Sequence, residues 1–149
     1  MNEHIVAEVG LTYKSTRPVS ELPQITGPEE AATFLRPLFD HDTLELQEQF
    51  IILLLNSHKK CLGWSTISKG SSTATVVEPK LIFQIALKTT AHSLILAHNH
   101  PGGMLKASMA DIHLTKRLQQ AGDVLGIGVD DHIILTTEGY LSMKMRGLF

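Results

Sequence analysis

Two histidines one residue apart, His98 and His100, and an aspartate eleven residues further on, Asp111, are of the types and at the spacing that hold a metal ion. The pair follows Ser93-Leu94-Ile95-Leu96-Ala97, a short apolar run of the kind that forms a buried strand, and precedes the turn-forming Pro101-Gly102-Gly103. Successive strand residues point to opposite faces, so a spacing of two aims both imidazoles the same way and turns Asn99 elsewhere. Beyond the turn, Ser108-x-x-Asp111 opens an amphipathic helix, with Ser108 at the N-cap and Asp111 one turn in. The carboxylate can then be carried back towards the histidines. Two neutral imidazoles and a carboxylate leave a fourth tetrahedral position for water, the arrangement of catalytic rather than structural zinc. Zinc would lower the pKa of that water towards neutrality and polarise a substrate carbonyl, while a base from elsewhere takes the proton.

Each part also has a plainer reading. In a chain of eight histidines one His-x-His pair arises by chance, and Ser108-x-x-Asp111 is equally an ordinary helix cap. The joint pattern His-x-His-x7-Ser-x2-Asp is far more specific than its parts and reads as a metal site. For the base there are two candidates, Glu45 and Glu48, both standing before the apolar run Phe50 to Leu55, where a glutamate is also a common solvated residue. His113, two residues from Asp111, lies on another helical face. His132, inside Asp131 to Leu135, reads as a satisfied strand histidine rather than a fourth ligand. The single cysteine, Cys61, excludes an internal disulfide and a thiolate zinc cluster, and reads as a small core residue.

The elements that must position these groups follow from periodicity. Ile5 to Tyr13 alternates loosely as an edge strand, and Arg17 to Ile25, with Pro18 and Pro23, reads as extended, so residues 1–25 form an N-terminal strand and connection. Pro28 opens a helix with Glu29 and Glu30 at the positive end of its dipole and Ala31, Phe34, Leu35 and Leu38 along one face; Pro37 bends or ends it. Phe50 to Leu55 reads as a strand covered on both faces, and the polar turn Asn56 to Lys60 makes Cys61 to Ser68 its antiparallel partner. Thr75 to Val77 is a short strand, and Pro79 starts a helix with Ile82, Phe83, Ile85, Ala86 and Leu87 turned inward. The motif helix runs from Ser108 to Ala121, with Ile112, Leu118 and Ala121 towards the core, and is closed by Gly122. Thr137 to Tyr140 is a hairpin turn leading to a last strand through Met143. Interleaved strands and helices that include a hairpin predict a mixed sheet with helices on its faces, an α/β or α+β fold.

Composition bounds the answer further. A chain of 149 residues, 43% hydrophobic and 19% charged, suits one domain spanning 1–149 with a real core. There is no apolar run of membrane-spanning length and no signal peptide at the first residues, so a cytoplasmic protein is expected. The net charge of −2, with Lys and Arg scattered, argues against a dedicated nucleic-acid surface.

His98, His100, Ser108 and Asp111 resemble the JAMM signature of JAB/MPN metalloproteases, and Ile95 to Gly103 is similar to the RadC branch (UPF0758) of bacterial MPN proteins. Gln47-Glu48-Gln49-Phe50, Glu78 to Phe83, Thr115 to Leu118, Leu125-Gly126-Ile127 and Asp131 to Ile134 resemble RadC segments in the RadC order, so the likeness covers about residues 25 to 140. It implies an MPN domain, a cytidine-deaminase-like αβα arrangement, in which His98, His100 and Asp111 bind zinc. Glu48, rather than Glu45, matches the family's general base, and Ser108 the serine that stabilises the tetrahedral oxyanion. Two departures, Gly102 where the family has serine and Ala107 where it has proline, remove no ligand.

The function so implied is a zinc-dependent hydrolase, a metallopeptidase or isopeptidase acting on a peptide or protein substrate. One alternative is a DNA-associated RadC-type role in repair or as a nuclease; many RadC proteins carry an N-terminal helix-hairpin-helix DNA-binding segment, and this chain is expected to start after it. The other is a non-catalytic MPN scaffold, disfavoured by the complete ligand set.

Overall fold

The structure, a computed structural model, describes residues 6–70 and 76–149. Strand β1 (Gln49–Leu55) is buried along its whole length because both its faces are apolar. Alternation sends Ile51, Leu53 and Leu55 to one side of the sheet and Phe50, Ile52 and Leu54 to the other. β1 pairs antiparallel with β2 (Cys61–Lys69) across the polar turn and antiparallel with β3 (Ser93–Asn99) on its other edge. β4 (Gly128–Leu135) lies parallel to β3, and β5 (Tyr140–Ser142) antiparallel to β4. The five-stranded sheet therefore has the order β2-β1-β3-β4-β5.

Helix α1 (Pro28–Leu35) lays Ala31, Ala32 and Leu35 on the Ile51 and Leu53 side, together with Ile95, Ala97 and Ile133. On the opposite side, α2 (Pro79–Lys88) and α3 (Met109–Leu125) bring Ile82, Phe83, Ala86 and Leu118 against Ile52, Leu94 and Leu96. Fully burying a leucine- or isoleucine-sized side chain contributes about 1.5–3 kcal/mol, so these two apolar layers hold the sheet between its helices. The result is the mixed sheet with helices on its faces that the pattern predicts, in the αβα arrangement that the resemblance implies.

Four expectations need correction. Residues 6–13 form no strand: Val6, Val9 and Leu11 are exposed, and alternation makes a strand only where a neighbour offers its N–H and C=O groups. Ile5 and Thr75 lie outside the described residues, and Val76 and Val77 are in no regular element. Leu87 is half exposed on the solvent side of α2. Finally, α3 does not stop at Gly122 but continues to Leu125 and ends at Gly126, whose φ of 72° is the left-handed conformation glycine adopts without strain. Gly122 serves packing: a Cβ there would overlap the carbonyl oxygen of Ile127, whose N–H donates to Gly122 O at 2.8 Å. Pro37 falls in the tight turn Arg36–Leu38 into which α1 winds, as its ring requires.

Candidate metal centre

Parity decides what meets at the end of β3. His98 stands opposite Phe50 in the β1–β3 register and shares the face of Leu94 and Leu96, so it looks towards α3. His100, just past the strand, keeps this direction because its N–H donates to Leu135 O at 2.9 Å, prolonging the pairing with β4. α3 begins below them with a reciprocal capping box: Asp111 N–H donates to Ser108 Oγ at 3.0 Å, and Ser108 N–H donates to Asp111 Oδ2 at 2.8 Å. That cap fixes the carboxylate under both rings, with Asp111 Oδ1 3.2 Å from His98 Nε2 and Oδ2 3.2 Å from His100 Nε2.

The fourth group comes from the mouth of β1. Glu48, two residues before Phe50 and on the same face, brings Oε1 to 3.6 Å from His98 Nε2. Glu45 instead lies exposed beside a recess of about 320 Å3 lined also by His100, Gly102, Gly103 and Glu138. Glu48, His98, His100 and Asp111 each offer one donor atom within 4.8 Å of the others, a cluster able to hold one metal ion. Ser108 is exposed at its rim; accepting from Asp111 uses a lone pair of Oγ and leaves the hydroxyl proton to donate elsewhere. His113 takes no part in this cluster.

A profile of the RadC-like JAB domain matches residues 25–148. The chain belongs to the RadC-like JAB family. Similar proteins include UPF0758 proteins of Symbiobacterium thermophilum, 36% identical over 144 residues, and of Desulforamulus reducens, 45% identical over 102. Those matches cover 97% and 68% of this chain but only 60% and 45% of the relatives' lengths. A third, from Staphylococcus carnosus, is 40% identical over 126 residues, 85% of this chain and 54% of the relative. The RadC-like JAB domain and its Glu-His-His-Asp cluster fit a JAMM-type hydrolase. Among the described residues no helix is long and apolar enough to cross a membrane.

The donor set of the RadC-like JAB site suits a cation. His100 Nδ1 lies 2.8 Å from Met104 O, which can only accept, so Nδ1 carries a proton, and in the neutral ring the Nε2 lone pair faces the cluster. His98 Nε2 is 2.9 Å from His100 Nε2, so two imidazole nitrogens and two carboxylates converge on one small space. The surroundings act on protons in opposite senses. Burial raises the pKa of Glu48, an effect that His98 opposes and Asp111 reinforces. Burial would also raise Asp111, but hydrogen bonds from His100 and His98 hold it well below the usual carboxylate range. The hydrogen bond to Asp111 raises His100. A proton held there occupies the position a metal ion would take.

Three further residues shape the RadC-like JAB site, none of them assigned a role there from the sequence alone. Asn99, on the opposite face from its histidine neighbours, receives Gln49 N–H on Oδ1 at 2.7 Å and donates through Nδ2 to Leu44 O and Gln47 O at 2.7 and 3.0 Å. It thereby holds the segment that carries Glu48. His132 is wholly buried behind His98, with Nε2 2.7 Å from His98 Nδ1, and burial pushes its pKa well below the ordinary histidine value. It is thus a satisfied strand histidine whose partner is a site residue. Thr115, also buried, contacts His132 Nδ1 through Oγ1 at 2.6 Å. The only sequence signal for either was its place within segments similar to RadC proteins.

Proposed function

We propose that this domain is a zinc-dependent hydrolase of amide bonds in peptides or proteins. The observation that carries the reading is the convergence of Glu48, His98, His100 and Asp111, drawn from β1, β3 and α3, within 4.8 Å. His98, His100 and Asp111 would hold the ion, a set of two imidazoles and one carboxylate that leaves a position open. Once bound, the ion supplies Lewis-acid polarisation of a carbonyl and lowers the pKa of water. Glu48, a carboxylate whose pKa burial has raised, accepts a proton from the attacking water and returns it to the leaving amine. Ser108 donates its hydroxyl proton to the oxygen on which negative charge develops. The recess beside His100, between Glu45 and Glu138, receives a flanking part of the substrate.

Metal content of the purified wild type and His100→Ala, prepared without chelator or added metal, is the first test. About one zinc per chain in the wild type and none in the variant supports the site. A library of peptides and isopeptides then tests the chemistry: cleavage by the wild type, with zinc retained but turnover lost in Glu48→Gln, is the expected result. Metal absent from both proteins, with no uptake from added zinc, would sink the hydrolase reading in favour of a scaffold.

A further inference from the structure

Behind the metal centre runs a chain of short hydrogen bonds whose direction can be worked out from its far end. Thr115 Oγ1 lies 2.7 Å from Asp111 O, and a carbonyl only accepts, so the hydroxyl donates there in preference to Met143 Sδ at 3.9 Å. With that single proton committed, the 2.6 Å contact between Thr115 Oγ1 and His132 Nδ1 has the imidazole as donor. His132 Nε2 is then a lone pair, and across 2.7 Å it accepts from His98 Nδ1. A neutral His98 protonated on Nδ1 has its lone pair on Nε2, the atom that faces His100 and Asp111.

We infer that His132 and Thr115 are positioning residues for the metal site, a relay that fixes the tautomer of His98 and ties it to the main chain of a second ligand, Asp111. This inference rests on the metal reading above. The relay begins at one ligand and ends at another, so it also sets the distance between β3 and the first turn of α3. His98, Thr115 and His132 are each at most 1% exposed, so the links of the relay are shielded from solvent. Phe50 holds the rings in place, stacked parallel to His98 at 6.1 Å and edge-on to His132 at 5.5 Å. Hydrogen-bond partners of metal-binding histidines typically change metal affinity about 10–100-fold when removed.

The test compares wild type, Thr115→Val, Thr115→Ser and His132→Phe. Thr115→Val removes the hydroxyl with little change in shape, and Thr115→Ser restores it. Long-range proton–nitrogen NMR of metal-free wild type at about pH 8 should show His98 and His132 protonated on Nδ1. Competition with a chromophoric chelator should show zinc affinity about 10–100-fold lower in Thr115→Val and His132→Phe, with Thr115→Ser near wild type. Cobalt(II) spectra should shift in the two weakened variants, and metal-free Thr115→Val should melt below the wild type because the buried His132 Nδ1–H loses its acceptor, while Thr115→Ser melts close to it. His98 protonated on Nε2 in the wild type, or Thr115→Val binding zinc as tightly as Thr115→Ser, would overturn the relay while leaving the metal reading intact. A wild type that takes up no zinc overturns both.

Discussion

Replacing Gly122 by alanine sets two effects of known sign against each other. In a helix interior alanine is favoured over glycine by about 1 kcal/mol, so propensity alone predicts stabilisation. At this position, however, the added Cβ would overlap Ile127 O, with Phe83 Cε1 3.6 Å away on another side. The obstacle is backbone, held by the 2.8 Å bond from Ile127 N–H to Gly122 O, so no side-chain rotation relieves it. Overpacking costs about 1–3 kcal/mol, and a clash with fixed backbone belongs at the upper end, which leaves a net loss of about 2 kcal/mol after the propensity gain. At about 2–4 °C per kcal/mol for a chain of this size, Tm should fall by about 4–8 °C. Thermal unfolding followed by circular dichroism, with metal-free protein at pH 7, measures it. An alanine variant that melts at or above the wild type would refute the packing role of this glycine. Because α3 also carries Asp111 and Thr115, the same variant should bind zinc more weakly.

Glu48→Gln should raise the Tm of the metal-free protein at pH 7 and leave it unchanged at pH 4. Glu48 has its folded pKa raised above 4.5 by burial, so the wild type loses stability as pH rises through the folded value, and the neutral amide is spared that loss. The same variant should lose about 10²–10⁴-fold in hydrolysis rate, read on any substrate the library yields. Zinc affinity should weaken as pH falls from 8 to 6, by roughly tenfold per unit where one proton is displaced, since Asp111 raises the proton affinity of His100; a flat profile in chelator competition would contradict this. Arg36→Leu removes two guanidinium bonds, from Nη1 to Thr136 O and Nη2 to Gly139 O, and should cost about 2 kcal/mol in urea unfolding without changing zinc content.

The parts of the site readable in the sequence were those set by local periodicity. A two-residue spacing in an apolar strand put His98 and His100 on one face, and a capping box placed Asp111 one turn into α3. The uninterrupted run in β1 announced burial on both sides. Contacts made across long sequence separations were not readable. The choice between Glu45 and Glu48 depends on where Asn99 grips the chain 50 residues away, and His132 meets His98 only once β4 lies parallel to β3. Gly122 was misread because glycine marks both a helix end and a close approach, and only the neighbouring Ile127 carbonyl distinguishes the two. The alternation in residues 6–13 had no partner to make it a strand.

The grip of Asn99 also divides the site between two stretches of chain. His98 and His100 stand at the end of β3 and just past it, flanked by β1 and β4, and Asp111 at the start of α3, so their amides should exchange with solvent only in large openings. The Leu44 to Glu48 stretch precedes β1, with Leu44 O and Gln47 O accepting from Asn99, Glu48 O accepting from Gly70 N–H at 2.8 Å and Leu44 buried in the core. Under the function proposed above, its local opening would carry Glu48 away from the other three side chains, a reversible resting state in which the domain is loaded yet silent. Whatever presses on that stretch would govern turnover without touching the metal.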